Sequence, residues 1–349
     1  YCNWSKKIFE DWRSANLTAV HVTISYHEQF RETVSNFEKW NLYFENFSNL
    51  IMPAYTISDI EYAKANKKTA VIFGFQNPSP IEDDIGLIEI LHRLGGRFMQ
   101  LTYNNQSLLA SGCYEEKDNG LSRMGKEVIE EMNRVGMIID MSHSGEKSTI
   151  EAIEYSKLPI TISHANPSFW HNAKRNKSNE ILKLLASKGG ILGLSLYPHH
   201  LKNNSNCTLD SFCKMIVDLI ELIGIDHIGF GSDLCQDQPD SVVEWMRVGR
   251  WTKKTDYGEG SASNPGFPKM PSWFKGNKDW KNILVSFEDQ KTNFGNAITE
   301  KTWKKDYKSC VMAVEVMAQK NPPTTAKDLI DICLKDFDAG SRTRQIRAR

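Results

Sequence analysis

The chain has 349 residues, 40% hydrophobic and 25% charged, which is enough apolar content for a barrel-sized core and too much for a disordered chain. Lysine plus arginine and aspartate plus glutamate balance at 43 each, so no net field recruits nucleic acid or an anionic membrane, and a small-molecule partner is the expectation. Seven cysteines without a CxxC pair argue against a disulfide framework and for a reducing, cytoplasmic setting, while no apolar run approaches the ~20 residues of a membrane span; no charged-then-apolar leader is seen, although a start at Tyr1 and not Met leaves room for residues upstream.

Trp4, Ile8, Phe9 and Trp12 stand at helical spacing and predict a first helix. LTAVHVTIS then reads as a buried strand that holds His21, with His27 just beyond it. Both are read as ordinary residues, one in the core and one in a loop. A helix pattern rich in Phe, Trp and Tyr covers 31–50, and Ser58 with Asp59 starts the next, towards Lys67. TAVIFGFQ is a strand ending in Gln76, followed by the turn-forming NPSP. A helix over 85–94 is stopped by Gly95 and Gly96, and RFMQLTYNNQ is a strand ending at Tyr103, Asn104 and Asn105.

After a helix over 125–135, a short strand from Met137 to Met141 ends in Ser142 and His143. An amphipathic helix leads to a second strand, 159–163, which ends in Ser163 and His164. ILGLSLYPHH and DHIGFGSD are the last strands, separated by a helix over 209–223, and the second ends in Asp233. The strands 17–25, 69–76, 97–103, 137–142, 159–163, 190–197 and 227–232 are nearly continuously apolar and alternate with helices. That pattern implies a parallel sheet covered on both faces. Seven strands are one short of a (β/α)8 TIM barrel, and the eighth would precede Tyr1. The Gly-, Pro- and Trp-rich segment 238–280 is expected as a lid or subunit contact of a barrel domain spanning 1–290. Residues 291–349 are expected as a helical extension with a basic, frayed tail.

A parallel barrel gathers its strand ends at one mouth, which would bring together Gln76, Tyr103, His143, His164 and Asp233. Two neutral imidazoles suit a divalent transition metal such as zinc. Asp233 serves as a third ligand, as a base for water, or merely as a turn cap. Arg175 offers a fork for a substrate carboxylate, although within AKRNKS a surface role is the simpler reading. No G-x-S-x-G elbow, phosphate loop or zinc-finger spacing occurs.

EEMNRVGMIIDMSHSG, PITISHA, RNKSNEIL and IGFGSDL together resemble the membrane (renal-type) dipeptidases, the M19 peptidases, from about Leu17 to Asp233 and more weakly to about Asp289. The resemblance implies a zinc hydrolase on an amidohydrolase-like (β/α)8 barrel, with a homodimer as its assembly. It implies that His143 and His164 hold one zinc, that Arg175 binds the substrate carboxylate, and that Asp233 sits beside the attacking water and substrate amine. Three departures stand out. The family's bridging glutamate falls on Gln76 and its oxyanion-stabilising histidine on Tyr103, and its first-strand His-x-Asp pair has no counterpart. A neutral amide cannot bridge two dications as a carboxylate does, so one zinc ion at most, or none, is expected. Tyr103 is taken with Asp233 as catalytic, and Gln76 and Asn104 with Arg175 as substrate-binding. Three functions stay open: a dipeptidase-like metallohydrolase, a barrel with altered chemistry on an amino-acid-like compound, and a non-catalytic binding barrel.

Overall fold

The computed structural model describes residues 4–248, 267–280 and 282–283. The expected extension over 291–349 and the middle of the segment 238–280 lie outside these described residues. Among the described residues eight strands are present: β1 (Ala19–Ser25), β2 (Ile51–Pro53), β3 (Thr69–Phe75), β4 (Gly96–Gln100), β5 (Ile138–Asp140), β6 (Thr161–Ala165), β7 (Ile191–Leu194) and β8 (Ile228–Phe230). They form one sheet in the order β1-β3-β4-β5-β6-β7-β8, and β2 pairs β3 off that path. Every pairing is parallel. Strands in near-sequential order with helices between them make an architecture of the (β/α)8 TIM-barrel type.

The helices are α1 (Lys6–Ser14), α2 (Phe30–Asn46), α3 (Ile57–Ala65), α4 (Leu87–Arg93), α5 (Arg123–Val135), α6 (Glu146–Tyr155), α7 (Asn179–Ser187), α8 (Leu209–Ile223) and α9 (Asp240–Val248). Their limits follow from local chemistry. Ser122 caps α5 by accepting from the Gly125 N–H at 2.9 Å, and Gly136 ends it at φ 81°, where a side chain would be strained. On α8 the buried stripe Phe212, Met215, Ile216, Leu219 and Ile223 recurs every three or four residues and faces the core. Thr56, rather than Ser58, caps α3 through a reciprocal box with Asp59.

The structure differs from the expected elements most in four places, one of them β6, which runs on to Ala165 instead of stopping at Ser163 and so contains His164. β2 was not anticipated. β4 and β7 stop at Gln100 and Leu194, because the chain turns away into the loops that build the mouth. A helix, α9, stands in the segment expected to be irregular.

β3 is buried at all seven positions and lies between β1 on one edge and β2, then β4, on the other. Gly74 in β3 leaves room for the His21 ring, since a Cβ there would stand 1.8 Å from His21 Nε2. Among the described residues, β1 and β8 end the strand path without pairing to each other. An open cleft of about 980 Å³ lies at that seam, lined by Val20 and Val22 on one side and by Gly231, Ser232 and Asp233 on the other. Among the described residues no helix is long and apolar enough to cross a membrane.

Candidate active site

The two Ser-His pairs meet at the carboxyl ends of β5 and β6, Ser142 and His143 just past β5 and Ser163 and His164 within the last residues of β6. His143 and His164 are 1% and 5% exposed, and their Nε2 atoms lie 3.0 Å apart. The opposite nitrogen of each ring is engaged. His143 Nδ1 lies 2.7 Å from Asn104 Oδ1, a carbonyl oxygen that can only accept, so Nδ1 carries the proton. His164 Nδ1 lies 2.7 Å from the Ser163 hydroxyl, which itself donates to Asp140. Both Nε2 atoms therefore present bare lone pairs. Gln76 gives its amide N–H to Thr23 Oγ1 at 2.8 Å and turns its carbonyl oxygen to within 3.1 Å of His143 Nε2.

With the proton of each ring on Nδ1, three acceptors converge on one point, an arrangement that suits a cation. Burial, reinforced by the Arg175 guanidinium, pushes both imidazoles well below their ordinary pKa, which keeps them neutral and available as ligands. Two imidazole nitrogens 3.0 Å apart can both reach one ion at ~2.0–2.1 Å. The donor set fits one divalent ion and lacks the carboxylates that a second would need. Among the described residues no three His, Cys, Asp or Glu side chains group as a metal cluster. The Asp233 carboxylate stands just outside, its Oδ1 4.0 Å from His164 Nε2. Asp233 has φ 52°, a left-handed backbone uncommon for a residue with a side chain, in the loop that follows β8.

An open pocket of about 470 Å³ is lined by Gln76, Tyr103, Asn104, Arg175 and Asp233, so five residues singled out from the sequence share one mouth. Tyr103 stacks on the His143 ring with centroids 4.0 Å apart, which brings it to the two imidazoles. Burial, with the Asp233 charge adding to it, raises the Tyr103 phenol well above its ordinary pKa. Arg175 is not a surface residue: it is 3% exposed, and its Nε and Nη2 donate to the carbonyls of Ser142 at 3.2 Å and His164 at 3.4 Å. The ends of β5 and β6 thereby aim the guanidinium at the pocket.

His21 and His27 behave as expected and stay out of the metal point. His21 stacks on Phe98 at 4.4 Å, and burial lowers its pKa to about 4. His27 uses one ring nitrogen on the Met246 carbonyl at 3.0 Å and the other on Asn77 at 3.2 Å, which fastens α9 over the mouth. Tyr197 and Arg247, joined at 3.0 Å, also line the pocket and were not singled out from the sequence. Arg247 lies in the segment without a readable period, so no pattern marked it. Asp140 was missed as well, although a carboxylate ending an otherwise apolar strand was a visible signal.

The family model of the membrane dipeptidases, peptidase family M19, matches residues 6–250. The chain belongs to peptidase family M19. This M19 chain is 28% identical over 211 residues to dipeptidase tcpJ of Claviceps purpurea, covering 60% of the chain and 50% of that protein. It spans about half the length of the curated relatives it matches. Among solved structures, an amidohydrolase from Pseudomonas aeruginosa superimposes with a TM-score of 0.78 at 32% identity, covering 95% of this chain and 94% of that one. A metallopeptidase from Rhodobacter sphaeroides, bound to a phosphinate mimic of the dipeptide L-Ala-D-Ala, shares the fold with a TM-score of 0.66 at 14% identity, covering 80% of this chain and 83% of that one.

Proposed function

We propose that this M19 chain is a metal-dependent hydrolase of a dipeptide or related small amide with a free carboxylate, working with one divalent ion, zinc, between His143 and His164. The observation that carries the reading is the pair of Nε2 atoms 3.0 Å apart with the Gln76 carbonyl oxygen beside them. When bound there, the cation polarises the scissile carbonyl and acidifies a water. Arg175 receives the substrate carboxylate, and its two backbone anchors fix the fork before the substrate arrives. Asp233, whose Oδ1 stands 4.0 Å from His164 Nε2, accepts a proton from the attacking water and holds the substrate ammonium. Tyr103 keeps its proton at neutral pH and donates it as a hydrogen bond to the developing oxyanion. Asn104 belongs to this reading as the residue that orients His143 while also lining the substrate pocket.

The phosphinate dipeptide mimic held by the Rhodobacter sphaeroides enzyme and the dipeptidase names of the curated relatives support the substrate class. The unbridged thiols of Cys113, Cys207, Cys213 and Cys235 support a reducing, cytoplasmic setting.

The test is release of free amino acids from a panel of dipeptides by the zinc-loaded protein. The reading expects slow cleavage that a chelator abolishes and that His143→Ala lacks. Zinc-loaded protein that cleaves no dipeptide or small amide, yet binds carboxylate ligands, would transfer the chain to the binding barrels.

A further inference from the structure

Each metal-facing histidine follows a serine, and the function above uses neither serine. Both hydroxyls converge on Asp140, the last residue of β5, which is 1% exposed. Its Oδ1 accepts from the Ser142 N–H at 3.0 Å, the Ser142 hydroxyl at 2.6 Å and the Ser163 N–H at 3.0 Å. Its Oδ2 accepts from the Ser163 hydroxyl. Each hydroxyl has a single proton, and both are committed to this carboxylate. The lone pairs left over face His164 from two sides. Ser142 Oγ accepts the His164 backbone N–H at 3.1 Å, and Ser163 Oγ lies 2.7 Å from His164 Nδ1. The reverse polarity would turn a hydroxyl lone pair towards a buried carboxylate oxygen, a repulsion that water cannot screen there. Asp140 touches neither the pocket nor the convergence point, so it acts only through the serine.

We propose that Asp140, through the Ser163 hydroxyl, is the positioning residue that holds His164 in its Nδ1–H tautomer and so turns its Nε2 lone pair towards the cation. A partner on the far nitrogen fixes the ring's tautomer and orientation and raises the donor strength of the other nitrogen. His143 obtains the same service from the neutral Asn104 carbonyl, so the two ligands are tuned unequally, with the carboxylate behind His164. The role towards the cation rests on the function proposed above, whereas the tautomer does not.

The experiment is the imidazole ¹⁵N–¹H correlation spectrum of metal-free protein labelled at histidine, with His164 assigned by its loss in His164→Gln, followed by zinc titration against a competing chelator. Wild type is expected to show His164 protonated at Nδ1 alone. Ser163→Ala should release that single tautomer and weaken zinc by roughly 10–100-fold, the usual cost of losing such an outer partner, with the His143 signal unmoved. Ser163→Thr restores the hydroxyl and should restore both. A wild-type His164 protonated at Nε2 overturns the proposal even if every variant fails to fold. So does Ser163→Ala with unchanged tautomer and unchanged zinc affinity. Protein that shows the expected tautomer but binds no zinc sinks the metal reading and leaves the Asp140–Ser163–His164 polarity standing.

Discussion

The two sides of the mouth are equipped differently. At the ends of β5 and β6, Ser142, His143, Ser163 and His164 are tied to one another and to Asp140 and Asn104 by hydrogen bonds of 2.6–3.1 Å. Across the mouth, at β1 and β3, Gln76 offers a neutral amide, and His21 Nε2 is shut from solvent without a hydrogen-bond partner among the described residues. The first side is preorganised for a cation, since its ligands are oriented before one arrives. The second side has the shape of a ligand wall but not the charge. On the proposed reading, metal-binding capacity follows the outer hydrogen bonds and anionic charge, not the mere presence of histidines at strand ends.

The sharpest break of this comparison is to remove one imidazole from each side. His164→Ala should lower zinc affinity well beyond the roughly 10–100-fold that an outer-shell loss costs, whereas His21→Leu should leave it within a few-fold. Chelator competition reads both. Equal losses would mean that the two sides contribute alike.

A second effect belongs to the β1 side alone. His21 is half-buried as a residue, but its ring is enclosed by Phe98 and Gly74, and burial lowers its pKa from 6.5 to about 4. The folded protein thus resists protonation that the unfolded chain accepts. Stability from this group is complete above pH 6.5 and is lost as pH falls from 6.5 towards 4, by up to about 3 kcal/mol. Urea unfolding of metal-free protein at pH 7 and pH 4.5 should show a smaller acid loss in His21→Leu than in wild type. Identical losses would show that His21 is solvated in the folded state.

The smallest effect tests the fork that the well-built side aims. Arg175→Lys keeps the charge but replaces the planar fork with a point ammonium, so carboxylate-bearing ligands should bind about tenfold more weakly, the worth of one charge-assisted hydrogen bond. Calorimetry with a dipeptide or a phosphinate analogue measures it. Unchanged affinity would confine Arg175 to bracing the ends of β5 and β6.

Much of this was legible in the chain. The alternation of apolar strands with amphipathic helices carried the architecture, because a fully buried parallel strand leaves a continuous apolar run. The Ser-His repeat marked His143 and His164 because its position at consecutive strand ends is itself geometric. β2 was illegible since three residues, Ile51–Pro53, are too few to show a period. Arg175 looked exposed because its sequence neighbours are polar, while its burial comes from carbonyls 33 and 11 residues away in the chain. The extent of β4 and β7 was overread, because the loop residues Leu101, Thr102 and Leu196 are as buried as strand residues without pairing in the sheet.

The central claim is one cation between two preoriented imidazoles, with the missing charge at Gln76 preventing a second. The most direct measurement is the number of zinc ions held per chain after dialysis, by native mass spectrometry, in wild type and Gln76→Glu. The account predicts one ion in wild type, none in His164→Ala, and a gain in metal held by Gln76→Glu, whose added carboxylate supplies charge against the repulsion of two dications. Two tightly held ions in the wild type, with nothing added by Gln76→Glu, would contradict it.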